Sequence, residues 1–346
     1  MKNQLTVDSE QLTVKTIVHS HLRPAKSDME VIMSQAIPTR EASGQILVEM
    51  GRENESIVVC EADIGKSTKT CYFAKKFPER YINVGIAEQN MMNMAVGLAS
   101  AGKTVFVSTY SVFASMRACE QIRTFACYPN INIKIVASHG GLTPGNDGPT
   151  HQALEDMGIM RSLPNMCVMM PADFNATKAL IKKTLEWKTP VFVRLTRDAV
   201  PCIYDEAEKF AIGKGKVVRE GKDVSIIANG DMLYHALQAA EALMGSGIRA
   251  RVVDMHTIKP IDTELVLDCC KATGAIVTVE DHNIMNGLGS AVAEIIAERN
   301  LVPLQRVGIK DRFAESGEYQ ELLNKYGLSV ADIVEAARAV IGRKGK

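Results

Sequence analysis

Along most of the chain, short unbroken apolar runs alternate with longer stretches whose apolar positions recur at helical spacing. The runs SIVVCEAD, YINV, INIKIVAS, MCVMM and PVFVRLTRD carry many β-branched residues and no polar alternation. They read as strands of a parallel sheet buried on both faces. Between them, Pro38 and Thr39 open PTREASGQILVEMGREN, where Ile46, Leu47 and Met50 share one helical face, and a second helix is predicted from about Asp173 to Trp187. A stretch with scattered glycines and charges then reads as a connector, after which the alternation restarts. VSIIANG, IRARVVDM, AIVTVEDH and LQRVGI are the strand-like runs of this second half. Helices are predicted through Leu233 to Met244, after Pro260, from Gly287 to Glu298, and toward Val340. The pattern predicts an α/β fold of two tandem open domains, each a mainly parallel sheet flanked by helices. Residues 29–200 form the first domain, 201–222 the linker and 223–346 the second domain. Residues 1–28 read as a polar arm in which His19 and His21 are solvated or covered by a partner rather than bound to metal.

The 346 residues suffice for two domains with sizeable cores. Forty basic and forty acidic side chains cancel without a long run of one sign. This argues against nucleic acid or an anionic membrane surface as the main partner and for a small ligand. Eight cysteines without a C-x-x-C pair, with Cys269 and Cys270 inside an amphipathic helical pattern, read as buried free thiols in a reducing compartment. MKNQLTVDSEQLTVK lacks the apolar core of a signal peptide, and no apolar run reaches the roughly 18 residues of a membrane span. A cytoplasmic location is the expectation.

Usable chemistry concentrates between Tyr81 and His151. Glu88 interrupts a helical pattern of alanines and methionines, where a core helix would carry an apolar residue. His139, Asp147 and His151 lie in the loop SHGGLTPGNDGPTHQ, directly after a strand, and strand-end loops are where open α/β sheets place ligands. Taken singly, Glu88 also reads as a carboxylate favoured by a helix dipole, and Tyr110 with Phe113 as core aromatics. NGLGSAVAEII looks like a dinucleotide fingerprint, but Val292 stands where its last glycine belongs and no acidic residue is placed for a ribose. Asn229 to Asp231 reads as a plain strand-to-helix turn, and no phosphate-binding G-x-x-x-x-G-K-[ST] segment occurs.

In order along the chain, GIAEQNM, STYSVF, SHGGLTPGNDGPTHQ, MPAD, RLTR, DHN followed by NGLGS, and SGEYQELL make residues from about Pro38 to Val340 resemble the C-terminal half of transketolases. The two domains would then be the pyrimidine-binding domain and the transketolase C-terminal domain. The resemblance implies a thiamine-diphosphate-dependent transfer of a two-carbon ketol unit from a ketose phosphate to an aldose phosphate. It implies that Glu88 hydrogen-bonds N1′ of the cofactor's aminopyrimidine, and that Tyr110, Phe113 and Met116, the last at a position often aromatic, pack around that ring. Arg40, Ser67, His139 and Arg197 would hold the sugar phosphate. His139, Asp147 and His151 would contact its hydroxyls, with the two histidines assisting proton transfer. The segment that binds Mg²⁺ (or Ca²⁺) and the diphosphate in this family is missing, so no metal site is expected on this chain. An N-terminal partner subunit would supply one, in an α2β2 heterotetramer. The alternatives are a β subunit of a 2-oxo acid dehydrogenase E1 component, a deoxyxylulose-phosphate synthase-like enzyme, which carries an acidic residue at the His139 position, or a non-catalytic assembly subunit. Retention of Glu88 and both loop histidines favours transketolase.

Overall fold

The computed structural model describes residues 36–299 and 302–345; the predicted arm, with His19 and His21, lies outside the described residues. The first half contains β1 (Ala36–Pro38), β2 (Ile57–Glu61), β3 (Tyr81–Asn83), β4 (Thr104–Ser108), β5 (Ile133–Ala137), β6 (Cys167–Met169), β7 (Val191–Arg194) and β8 (Ala199–Pro201). The second contains β9 (Lys216–Arg219), β10 (Val224–Ala228), β11 (Ala250–Asp254), β12 (Thr257–Lys259), β13 (Ile276–Asn283) and β14 (Leu304–Ile309). A seven-stranded sheet in the order β12-β6-β7-β5-β4-β2-β3 and a five-stranded sheet in the order β14-β13-β10-β11-β9 carry the two halves, parallel except at the β12 and β9 edges. β1 and β8 form a separate antiparallel pair.

Every residue of β2, β5, β6 and β7 is buried, which is why these segments read as continuous apolar runs. Alternate side chains feed opposite cores. Ile57 and Val59 pack with Ile46, Leu47 and Met50 of the helix Thr39–Glu53, whereas Val58 and Cys60 pack with Met91 and Met92 of the helix Glu88–Ser100. The helix Phe174–Lys183 begins where Asp173 accepts from Ala176 N at 2.8 Å; the other carboxylate oxygen of Asp173 takes Tyr204 N at 2.8 Å and ties down the chain after β8. All eight cysteines are free, and all but Cys71 and Cys119 are buried. Among the described residues no helix is long and apolar enough to cross a membrane.

In the second half two strands depart from the sequence reading, and in the first half β1, β4 and β8 lie outside the runs read as strands. The connector 201–222 contains β9, an edge strand only partly buried; its charged ends suit an edge and mask it in a hydropathy pattern. β12 lies in the second half of the chain yet pairs antiparallel with β6, so the larger sheet is completed across the predicted domain boundary. The C-terminal helical segment is also two helices, Tyr319–Lys325 and Val330–Ile341, the latter opened by a Ser329–Asp332 capping box.

A buried ionic network joins the halves. Arg194, wholly buried at the end of β7, donates from Nε to Asp156 Oδ2 at 2.9 Å and from Nη2 to the carbonyls of Ala153 (2.7 Å) and Asp281 (2.8 Å). Asp281 accepts from Leu142 N at 2.9 Å, and Tyr319 links it to Asp231. His282 accepts from Gly158 N through Nε2 at 3.2 Å and bonds the Asn283 carbonyl through Nδ1 at 2.6 Å, the pattern of a neutral ring. Burial pushes its pKa down to about 4.

Burial, and next the nearby Asp231, push the Asp281 carboxyl up to about 8. A carboxyl that binds its proton more tightly folded than unfolded contributes stability fully below its unfolded value of about 4 and loses that contribution as pH rises through the folded value. Asp281→Asn removes this titration. The stability of the wild type relative to that variant is therefore expected to fall between pH 5 and pH 8, by at most about 1.4 kcal/mol per pH unit. Urea denaturation of both proteins at several pH values measures it, and parallel curves would show that Asp281 does not titrate there.

Candidate active site

The carboxyl ends of β2, β4, β5 and β7 converge on one cleft. β4 and β5 continue as a parallel bridge between Tyr110 and Ser138, which sets Tyr110 beside His139 with ring centroids 3.8 Å apart. His139 holds a left-handed backbone, φ 63°, an unfavourable conformation for a non-glycine residue. Its two following glycines are needed sterically. A Cβ on Gly140 would lie 2.3 Å from Arg194 Nε, and one on Gly141 would lie 1.9 Å from Asp281 Oδ2. The loop therefore rests its bare backbone directly on the ionic network. Thr39 Oγ1 accepts from Thr196 N at 2.7 Å and clips the start of the first helix to the end of β7, which brings Arg40 and Arg197 to the same wall.

Arg40, Ser67, Tyr110, His139, Asp147 and Arg197 line a cleft of about 410 Å³ together with Lys66 and Lys69. Six of the predicted site residues thus meet, and the two lysines are additions from the polar loop after β2. Arg40 donates to the Ser67 carbonyl at 2.9 Å, while its Nε is buried without a partner. Burial, and then the neighbouring Arg197, lower the Arg40 pKa. Arg197 reaches Asp147 at 3.2 Å, and Lys69 reaches Glu41 at 3.3 Å. Four cations against the single carboxylate of the lining make an anion subsite. Burial, reinforced by Arg40, Arg197 and His151, pushes His139 down to about 2. Its imidazole is neutral at any working pH, with one donor and one acceptor, and Nδ1 lies 2.9 Å from Ser138 Oγ.

A row of contacts leads from this cleft to Glu88. Phe113 stacks on Tyr110 at 5.5 Å, and His151 meets both rings edge-on, at 5.4 Å and 6.0 Å. Phe113 opens a π-helical turn, Phe113–Arg117, that carries the Arg117 guanidinium 3.8 Å above the Phe113 ring. Arg117 Nη1 donates to Glu88 Oε1 at 2.9 Å. Glu88 itself is 5% exposed, at the first position of its helix, behind the positive-φ turn at Gly85.

Met116 does not join this row. It lines a separate cavity of about 60 Å³ with Leu154, Glu155 and Phe313, and Arg117 is the side chain that lies over Phe113. Arg117 went unnoticed in the sequence, although its spacing of four from Phe113 is a signal for an aromatic–cation pair. The glycine-rich segment NGLGS is closed to nucleotides, since Glu280 accepts from Leu288 N at 2.7 Å and Gly289 N at 2.8 Å where a phosphate would sit. Among the described residues no group of three or more His, Cys, Asp or Glu could hold a metal ion.

Comparison with known proteins agrees with this geometry. The transketolase pyrimidine binding domain family matches residues 35–202, and the transketolase C-terminal domain family matches residues 213–333. A putative transketolase C-terminal section from Methanocaldococcus jannaschii is 49% identical over 86% of this chain and 94% of its own length. The 6-deoxy-6-sulfo-D-fructose transketolase subunit SqwH of a Clostridium species is 41% identical over 88% and 95%. A solved structure described as a split gene transketolase, inactive beta4 tetramer, superposes with a TM-score of 0.84 at 51% identity, covering 89% of this chain and 99% of that one. With both family domains in sequence and near-complete coverage of a relative described as a C-terminal section, this chain belongs to the transketolase family and corresponds to its C-terminal section.

Proposed function

We propose that this chain is the C-terminal subunit of a thiamine-diphosphate-dependent transketolase that moves a two-carbon ketol unit from a ketose phosphate to an aldose phosphate. The observation that carries the reading is the unbroken row from buried Glu88 through Phe113 and Tyr110 to a four-cation cleft with His139 and Asp147 on its wall. It supports a ring-binding role for this carboxylate and a role for the neighbouring cleft in holding an anionic polyol. The residues fit the cofactor's ring: a flat, nitrogen-bearing guanidinium already lies on Phe113 and bonds Glu88, so a flat aminopyrimidine is matched in shape, with the Glu88 carboxyl in reach of a ring nitrogen. Bound thiamine diphosphate would supply the nucleophilic carbon and the electron sink for breaking and making the carbon–carbon bond.

The chain's own groups divide the remaining work. Glu88, buried at the first position of its helix, would hold the ring nitrogen by a hydrogen bond and keep water from that carboxyl. Arg40, Ser67 and Arg197, joined by Lys66 and Lys69, take the terminal phosphate. Neutral His139 and Asp147 orient hydroxyls, and half-exposed His151 exchanges protons with the substrate. Four cations favour a dianionic phosphate over a monoanionic sulfonate, so we place pentose phosphates and related sugar phosphates ahead of sulfonated sugars. The diphosphate and its Mg²⁺ or Ca²⁺ would be held by an N-terminal subunit in a cytoplasmic α2β2 complex. Supporting this, Ile86 beside Glu88 is 76% exposed and Tyr128 is 86% exposed, an apolar surface suited to a partner.

Glu88→Gln is expected to lower ketol transfer by roughly 10²–10⁴-fold without changing the melting temperature of the complex. Near-normal turnover would remove Glu88 from the chemistry. Arg197→Ala is expected to raise KM for phosphorylated sugars, by about 1.5–3 kcal/mol of binding, and to leave unphosphorylated analogues little affected. Equal losses for both would make the residue structural. Purified alone, the chain should bind thiamine diphosphate weakly and transfer nothing from a pentose phosphate, and adding the N-terminal subunit should restore both; calorimetry and a coupled transfer assay read the two effects, and full activity of the lone chain would refute the split-enzyme reading.

A further inference from the structure

We propose that Arg117 is a positioning residue that occupies the cofactor-ring site and is displaced when the ring binds; this rests on the reading of Glu88 given above. Its guanidinium makes both contacts at once that a flat aminopyrimidine would need. Nη1 donates to Glu88 Oε1 at 2.9 Å, and Cζ lies 3.8 Å above the Phe113 ring centroid. A planar ring stacked on that face and bonded to that carboxylate cannot share the space with the guanidinium, so the two compete.

The surroundings are built for such an exchange. Glu88 is 6% exposed at its side chain, and a carboxylate so enclosed is costly without a partner. Arg117 is 50% exposed at its side chain and has no hydrogen-bond partner among the described residues other than Glu88. Its head can therefore swing to solvent without breaking any further bond, while the stem stays on the π-helical turn Phe113–Arg117. The exchange also changes what Glu88 is asked to do. Against a permanent cation a carboxylate stays an anion. Against a ring nitrogen it shares a proton. Arg117 thus keeps the buried carboxylate paired and the Phe113 face covered in the empty site, at the expense of some cofactor affinity.

The test is cofactor binding by calorimetry in the complex with the N-terminal subunit. Wild-type binding, and its loss in Glu88→Gln, first establish the underlying reading. If neither is seen, that reading fails, whatever Arg117 does. Given that baseline, Arg117→Ala is expected to bind thiamine diphosphate more tightly, on the order of 3- to 10-fold, the strength of an exposed ion pair plus a cation–π contact. Arg117→Lys, which keeps the charge and loses the flat head, should fall between the two. Unchanged or weaker binding in both Arg117 variants would overturn the proposal, because it would mean that the guanidinium and the ring bind side by side.

Discussion

Arg194 is the interaction on which the rest of the molecule depends. A fully buried guanidinium is tolerable only with its donors satisfied, and this one spends them on Asp156 and on the carbonyls of Ala153 and Asp281. Those partners come from the segment after the polar loop and from β13 of the second sheet. One side chain at the end of β7 therefore fixes the loop that carries His139 and His151 and also docks the C-terminal half. Breaking a buried pair from one side typically costs roughly 3–5 kcal/mol, and here the loss would fall on the site as well as on the fold.

The network explains why the first part of the loop, residues 138–145, is irregular and yet buried. Loops usually run over the surface because their backbone groups need partners. Here Gly140 N bonds the Leu195 carbonyl at 2.9 Å, Gly141 N bonds the Ala153 carbonyl at 3.0 Å, and Leu142 N bonds Asp281. Two glycines in a row are required because Arg194 and Asp281 leave no room for a Cβ. The left-handed backbone of His139 is held by this surrounding structure, and the strain aims its ring at Tyr110.

On top of this support the cleft concentrates like charge. Arg40 and Arg197 sit close enough to lower the pKa of Arg40, and Lys66 and Lys69 add to the same field. An arrangement that costs stability in the empty protein becomes favourable once an anion arrives, which is the stability–function trade expected of a binding site. The deep end of the row follows the same logic in reverse. A lone buried carboxylate, Glu88, is kept tolerable by Arg117.

Much of this was legible in the sequence, for definite physical reasons. Strands buried on both faces must be continuously apolar, so β2, β5, β7, β10, β11 and β13 announce themselves, and capped helices such as Phe174–Lys183 carry their signals locally. The resemblance picked out six of the eight residues that line the cleft, Arg197 among them, together with RLTR, DHN and SGEYQELL, but gave those three segments no joint role. Only the tertiary structure shows that they supply Arg194, Asp281, His282 and Tyr319 to one interdomain network. β9 and β12 escaped because edge strands are short, half-polar and defined by their partners, which lie far along the chain. Arg117 lies over Phe113 and reaches Glu88, while Met116 lines a neighbouring cavity; hydropathy records neither contact. Local pattern determined most of the elements and their order; which charges face one another was decided by packing, since that depends on residues tens of positions or more apart.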